Sequence, residues 1–244
     1  MNLVLDIGNS RTKVAIFSPG EMVRSFAFDD LSLNGLKKLM EDFPGTERAI
    51  LSSVASVPTQ VIDYLTNTFP AFLKLNSRTP LPITNGYRTP ETLGLDRLAA
   101  AVGARVLFPD KDLLVIDAGT AVTFDLIEHS GVFMGGNISP GLRSRFRALN
   151  EFTRDLPLVE EEDHWPLIGQ TTEEAIRAGV LNGMVLEMDG MIDLMKKKYP
   201  EIQSVLTGGD AGFFERRLKN HIFAKFEVTL IGLNRILEYN VEKL

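Results

Sequence analysis

The chain has 244 residues, 44% apolar and 24% charged, close to the averages of soluble globular proteins, which argues against both disorder and a membrane class. A net charge of −6 and a pI near 5.2 give no global attraction to nucleic acid, and the lack of cysteine removes disulfides and thiolate metal sites while suiting a reducing cytosol. No apolar run approaches the ~20 residues that span a bilayer and no signal-peptide pattern opens the chain, so a soluble cytoplasmic protein is expected, without membrane or direct nucleic-acid partners.

Residues 2–8 and 13–17 read as Val-, Ile- and Leu-rich strands joined by a Gly-Asn-Ser turn, with a third strand at 22–28. Leu31–Asp42 has helical spacing and stops before Phe43-Pro44-Gly45, Arg48–Ser52 reads as a strand, and Pro58–Phe69 as a helix with proline in its first turn. Asn76–Pro90, with Pro80, Pro82 and Pro90, is a long polar loop of the kind that often holds function. Thr92–Leu107 is a helix with Leu95, Leu98, Ala99, Val102 and Leu107 on its apolar face. The opening pattern then restarts, with strands at 112–117, 121–127 and 132–138, and a helix from Ser139-Pro140-Gly141 through Leu149. Thr171–Lys198 is one long helix in which Ala175, Gly179 and Gly183 repeat at a spacing of four, and Lys196-Lys197-Lys198 is its solvated end. Val205–Thr207 is a short strand, Gly208-Gly209-Asp210-Ala211 a turn into a helix, and Thr229–Tyr239 a closing helix. The alternation predicts a mixed α/β fold, and its restart predicts two domains, 1–110 and 111–244.

Two strand ends carry one phrase. Asp6-Ile7-Gly8-Asn9-Ser10-Arg11-Thr12-Lys13 follows Leu3-Val4-Leu5, and Asp117-Ala118-Gly119-Thr120-Ala121-Val122-Thr123 follows Leu113-Leu114-Val115-Ile116. An offset of 111 residues lays Asp6, Gly8 and Thr12 on Asp117, Gly119 and Thr123. Aspartate is common in turns, but two such hairpins facing one another would make a jaw for a polyphosphate. Carboxylates are hard ligands for Mg²⁺, Gly8 and Gly119 would let backbone amides approach phosphates, and Asn9, Ser10, Thr12, Thr120 and Thr123 offer hydrogen bonds, with Lys13 a cation.

Asp96-Arg97 opens a helix, where an acidic residue is commonplace. The functional alternative is that Asp96 takes a proton from a substrate hydroxyl while Arg97 holds an anionic part of that substrate. Gly208-Gly209 is a tight turn that could let a nucleotide base lie against backbone. His129, His164 and His221 show no metal-ligand spacing. No Gly-x-x-x-x-Gly-Lys-Ser/Thr loop, Gly-x-Gly-x-x-Gly fingerprint or protein-kinase catalytic loop is present, so ATP would be bound by another architecture.

In order along the chain, Asp6-Ile7-Gly8-Asn9-Ser10, Gly94-Leu95-Asp96-Arg97, Asp117-Ala118-Gly119-Thr120-Ala121, Gly135-Gly136-Asn137-Ile138-Ser139-Pro140-Gly141 and Thr207-Gly208-Gly209-Asp210-Ala211 resemble the motifs of type III pantothenate kinases. The resemblance runs from residue 3 to residue 211. It implies the fold of the acetate and sugar kinase, Hsp70 and actin superfamily, an α/β arrangement of two ribonuclease-H-like domains of the actin-like ATPase type with mixed sheets flanked by helices. The implied reaction is ATP-dependent phosphorylation of pantothenate to 4′-phosphopantothenate, the first step of coenzyme A biosynthesis. By the same resemblance Asp6, Ile7, Gly8, Asn9, Ser10, Arg11, Thr12 and Lys13 form the first phosphate loop, with Asp6 near Mg²⁺, directly or through water. Gly119, Thr120, Gly208 and Gly209 contact ATP, and Asp117 binds a monovalent cation, K⁺ or NH₄⁺. Asp96 matches the general base. Tyr87, Gly94, Leu95 and Arg97 match positions that hold pantothenate, and Thr172 one contributed across a homodimer interface. Ser10 stands where many relatives have threonine and keeps the hydroxyl. Two other readings are a sugar or small-alcohol kinase of the superfamily and a nucleotide-binding transcriptional accessory factor. For the latter the sequence carries no helix-turn-helix element or basic surface signature.

Overall fold

The structure, a computed structural model, describes residues 1–8 and 11–242. It divides into two compact units. In the first, β1 (Asn2–Ile7), β2 (Thr12–Ser18) and β3 (Glu21–Phe28) form an antiparallel meander. After α1 (Leu33–Glu41), β4 (Arg48–Ser53) joins β1 in parallel, and after α2 (Thr59–Thr68), β5 (Ala71–Lys74) joins β4, giving the order β3-β2-β1-β4-β5. β6 (Thr84–Asn85) follows, then a 3-10 turn Pro90–Thr92 and α3 (Leu95–Leu107). The helix expected from Thr92 therefore starts later, because Leu93 and the capping Gly94 are extended, with Gly94 at φ −58° and ψ 128°.

The second unit repeats the plan. β7 (Leu113–Ala118), β8 (Ala121–Ile127) and β9 (Val132–Pro140) are followed by α4 (Leu142–Phe152) and α5 (Thr172–Lys198). β10 (Gln203–Thr207), α6 (Ala211–Glu215) and β11 (Phe223–Ala224) complete it, and the sheet has six strands in the order β6-β9-β8-β7-β10-β11, with β6 on its edge beside β9. Leaving β6 aside, both sheets run 3-2-1-4-5 by their own strand count. Strands β5, β6 and β11 escape the sequence reading because two to four residues hold too little alternation to recognise.

The last helix, α7 (Val228–Val241), departs from the linear division at residue 110. Residues from Glu227 onward, and the segment Ser130–Met134, group with the first unit. The reason is apolar. Leu230, Leu233, Ile236 and Leu237 of α7 share a core with Val4, Ala15 and Ile50 of the sheet and Ala99 and Val102 of α3. Leu3, Leu5, Val14 and Leu51 face the other way, onto Leu36, Leu39, Val61 and Leu65 of α1 and α2, so the sheet is covered on both faces. α3 and α7 cross at Gly103 and Gly232, where a Cβ would strike the Val228 and Ala99 carbonyls. In the second unit Leu114, Ile116, Ala118, Val122 and Leu206 pack under α4 and α5. Among the described residues no helix is long and apolar enough to cross a membrane.

Candidate active site

Asp6 is the penultimate residue of β1, and its neighbours across the sheet are Lys13 on β2 and Ser52 on β4. Side chains alternate along strands, so all three lie on the face of Val4, Ala15 and Ile50, the face that α3 covers. Asp96 sits in the first turn of α3, close enough for its charge to act on Asp6. Loss of hydration by burial pushes the Asp6 pKa up to about 6, with Lys13 opposing the rise, Asp96 adding to it and the Ser52 hydroxyl opposing it. Ser52 is fully buried, and its Oγ meets no partner at regular hydrogen-bond geometry although it faces Asp6.

Asp96 Oδ1 accepts a hydrogen bond from the Arg97 N–H at 2.9 Å. A Cβ on Gly94 would come within 2.5 Å of that oxygen, so glycine leaves the carboxylate its place. The guanidinium of Arg97, a residue only 7% exposed, lies 5.7 Å from the ring centre of Tyr87 and 5.9 Å from that of Phe133. These two rings are held by β6, which pairs in parallel with the start of β9, Asn85 opposite Phe133. The Gly86 N–H then donates to the Phe133 carbonyl at 2.9 Å, and the Tyr87 N–H to Asn85 Oδ1 at 3.0 Å. Leu95 is half-buried beside them in the helix. Phe133 and Ser52 are additions to the site read from sequence. Both sit in strands that were legible, but pairing partners, not periodicity, bring them here.

In the first hairpin the Gly8 N–H donates to the Arg11 carbonyl at 3.0 Å, Thr12 opposes Ile7, and exposed Arg11 pairs with Asp29 at 3.5 Å. Asn9 and Ser10 lie outside the described residues. In the second hairpin the Gly119 N–H donates to the Ala121 carbonyl at 3.0 Å, one residue earlier. Ala118 opposes Val122, and Asp117 opposes Thr123. The offset of 111 residues therefore aligns the letters but not the pairing: the place that Lys13 takes beside Asp6 falls to Thr123 beside Asp117. The other neighbour of Asp117 is Thr207, whose Oγ1 donates to the Phe226 carbonyl at 3.3 Å. Gly208, at φ +98°, abuts the Asp117 carboxylate where a Cβ would collide, while Gly209 faces open space. Thr120 is exposed, and its carbonyl accepts from the Gly141 N–H at 3.1 Å and the Ser144 hydroxyl at 2.8 Å, which fixes the start of α4 beside the turn.

The structure thus gathers Asp6, Lys13, Ser52 and Asp96 in the first unit, with Tyr87 and Phe133 around Arg97. It gathers Asp117, Thr123, Thr207 and Gly208 in the second. Thr172 belongs to the second unit, exposed as the first residue of α5 behind a Thr171–Glu174 capping box. A cavity of about 160 Å³ on the first unit, lined by Leu75, Asn76, Thr79, Asn85, Leu95 and Leu98, has no charged wall and so offers no grip on an anion. Among the described residues no group of three or more His, Asp or Glu forms a ready metal cage.

The sequence profile described as type III pantothenate kinase matches residues 2–194. The chain belongs to the type III pantothenate kinase family. A curated type III pantothenate kinase from Phocaeicola vulgatus is 50% identical over 240 residues, covering 98% of this chain and 99% of its own length. Pantothenate phosphorylation, the first step of coenzyme A biosynthesis, goes with membership of the type III pantothenate kinase family, and makes the chain a phosphotransferase. A solved protein described as a Baf family transcriptional activator, from Campylobacter jejuni, superposes with a TM-score of 0.62 at 22% identity, covering 98% of this chain and 99% of that one. The activator of 2-hydroxyisocaproyl-CoA dehydratase from Clostridium difficile, solved with bound ADPNP, superposes with a TM-score of 0.55 at 12% identity, covering 100% of this chain and 97% of that one. Such likenesses establish the actin-like ATPase and sugar kinase fold alone. A kinase of that fold uses ATP with a divalent cation.

Proposed function

We propose that Asp96 is the general base of pantothenate phosphorylation, that Asp6 holds the divalent cation Mg²⁺, and that Arg97 holds the pantothenate carboxylate. The observation that carries this reading is the approach of Asp6, at the end of β1, to Asp96, in the first turn of the helix that covers that sheet face, with Arg97 next in the helix. Asp96 accepts the proton of the primary hydroxyl as that oxygen forms its bond to the γ-phosphorus, and the bond from phosphorus to the β–γ bridging oxygen breaks, leaving ADP. The cation, when bound, neutralises charge on the phosphates. Gly8 to Lys13, Gly119, Thr120, Gly208 and Gly209 bind ATP, and Tyr87, Gly94 and Leu95 shape the acceptor site. Asp117 binds K⁺ or NH₄⁺; its uncharged neighbours Thr123 and Thr207 offer hard oxygens of the kind such ions take.

A homodimer with Thr172 completing the partner's acceptor site is supported by the outer face of α5. There Gly179, Gly183 and Gly190 have no neighbour where a Cβ would be, and Leu186 and Leu194 are 70% and 59% exposed. A cytoplasmic location, without nucleic-acid partners, is supported by the lack of cysteine and the acidic charge. The test is ADP release by the purified protein with Mg²⁺-ATP and pantothenate, with and without K⁺, beside a panel of sugars. Pantothenate-dependent release that K⁺ stimulates is expected; release with a sugar and none with pantothenate would reverse the acceptor assignment.

A further inference from the structure

Three buried side-chain hydroxyls among the described residues lack a hydrogen-bond partner, those of Ser52, Thr123 and Ser204. Two of the three are direct cross-strand neighbours of the two strand-end aspartates, Ser52 of Asp6 and Thr123 of Asp117, while Ser204 stands opposite Leu114. An unsatisfied buried hydroxyl costs free energy, so its repeated position beside a carboxylate calls for a compensating state. Ser52 is the sharper case. It is 0% exposed, on the same sheet face as Asp6, and on the side away from Lys13.

We propose that Ser52 is a positioning residue for the cation at Asp6: its hydroxyl donates to one carboxylate oxygen and thereby turns the other toward the metal. The contact between Ser52 Oγ and Asp6 falls short of regular geometry, and a bound cation and nucleotide would close it by drawing the carboxylate into line. Lys13 approaches from the opposite strand, so the carboxylate is held from both sides. The inference rests on the reading of Asp6 as the cation-side residue. It predicts an unusual pair of effects for Ser52→Ala. Removing a hydroxyl whose contact with Asp6 falls short of regular hydrogen-bond geometry changes thermal stability little, yet weakens cation-dependent nucleotide binding by about 10-fold, the lower end of what a lost outer-shell partner costs a metal site.

The experiment measures binding of the non-hydrolysable analogue AMP-PNP by calorimetry, with Mn²⁺ and with EDTA, for the parent chain, Ser52→Ala, Asp6→Asn and Ser204→Ala. The ratio of the two affinities isolates the contribution of the metal. Expected is a ratio about 10-fold lower in Ser52→Ala, lower still in Asp6→Asn and unaltered in Ser204→Ala, with EDTA affinities equal throughout. A ratio within twofold of the parent in Ser52→Ala, while Asp6→Asn loses it, overturns the role of Ser52 alone. An unaltered ratio in Asp6→Asn instead overturns the reading of Asp6. A fall of the melting temperature of Ser52→Ala by several degrees, with an unchanged ratio, would mark the hydroxyl as structural and likewise overturn the proposal.

Discussion

Alanine at Gly94 asks whether the Asp96 carboxylate works from the position in which the fold holds it. The added Cβ would stand 2.5 Å from Asp96 Oδ1. An unstrained carbon–oxygen contact is about 3.3 Å, so the carboxylate must retreat by about 0.8 Å and give up its 2.9 Å bond to the Arg97 N–H. The backbone can stay, since φ −58° and ψ 128° are open to alanine, and the obstacle is the end of a side chain that can rotate. The melting temperature should therefore hold within about 2 °C. Displacing a reacting group by about 1 Å costs on the order of 100-fold in rate, roughly 2.7 kcal/mol of barrier. The assay is pantothenate-dependent ADP release at saturating ATP and pantothenate, and the expected result is kcat down about 100-fold with the affinity for AMP-PNP retained. A folded Gly94→Ala enzyme with kcat within about threefold of the parent would refute the argument that this oxygen must sit where glycine lets it.

Asp96→Asn should keep its melting temperature and its AMP-PNP affinity in calorimetry while turnover falls by ~10² to 10⁴, the usual worth of a general base; near-normal turnover would remove Asp96 from that role. Arg97→Lys should raise the KM for pantothenate about tenfold with a smaller change in kcat, because an ammonium lacks the planar fork that stacks on Tyr87 and Phe133; steady-state kinetics decide. The raised pKa of Asp6, about 6 against its ordinary 3.8, means that the folded chain binds more protons than the unfolded chain between those values. The stability that this gives is full below about pH 4 and lost as pH rises through 6. Asp6→Asn should accordingly melt higher than the parent at pH 7.5, an advantage that shrinks toward pH 4 in differential scanning calorimetry; a lower melting temperature at pH 7.5 would contradict the burial argument. Gly103→Ala should destabilise the first unit by about 3 kcal/mol or more in urea unfolding, because its Cβ meets the Val228 carbonyl of α7.

The repeated strand-turn-strand phrase was readable because it joins a buried run such as Leu113–Ile116 to an aspartate and a glycine, all local signals. Its register was not. Letters align at an offset of 111 residues, yet turn length decides which residue faces the aspartate, and the second turn is a residue tighter. Gly94 to Arg97 was likewise legible as a polar opening to an apolar helix. The rings around Arg97 were half-legible: Tyr87 came from the family resemblance, whereas Phe133 depends on a two-residue strand that no periodicity announces. Ser52 shows the same limit, since a serine at the end of a strand declares nothing until the strand beside it is known. The apolar stripe of α7 predicted a helix but could not say which sheet it covers.

That return of α7 has a bearing on how the protein comes into being. Val4, Ala15 and Ile50 are made well before their cover, Leu230 to Leu237. Asn2 even completes its side-chain bond on Asn234, at 2.8 Å. A nascent chain therefore cannot finish its first unit while still tethered to the ribosome near residue 110, contrary to the usual order in which N-terminal domains fold during synthesis. The proposed pair Asp6 and Asp96 shares a finished unit only once the residues from Glu227 onward have been added, and a chain truncated before Glu227 would carry every proposed catalytic residue and still lack the face that holds them.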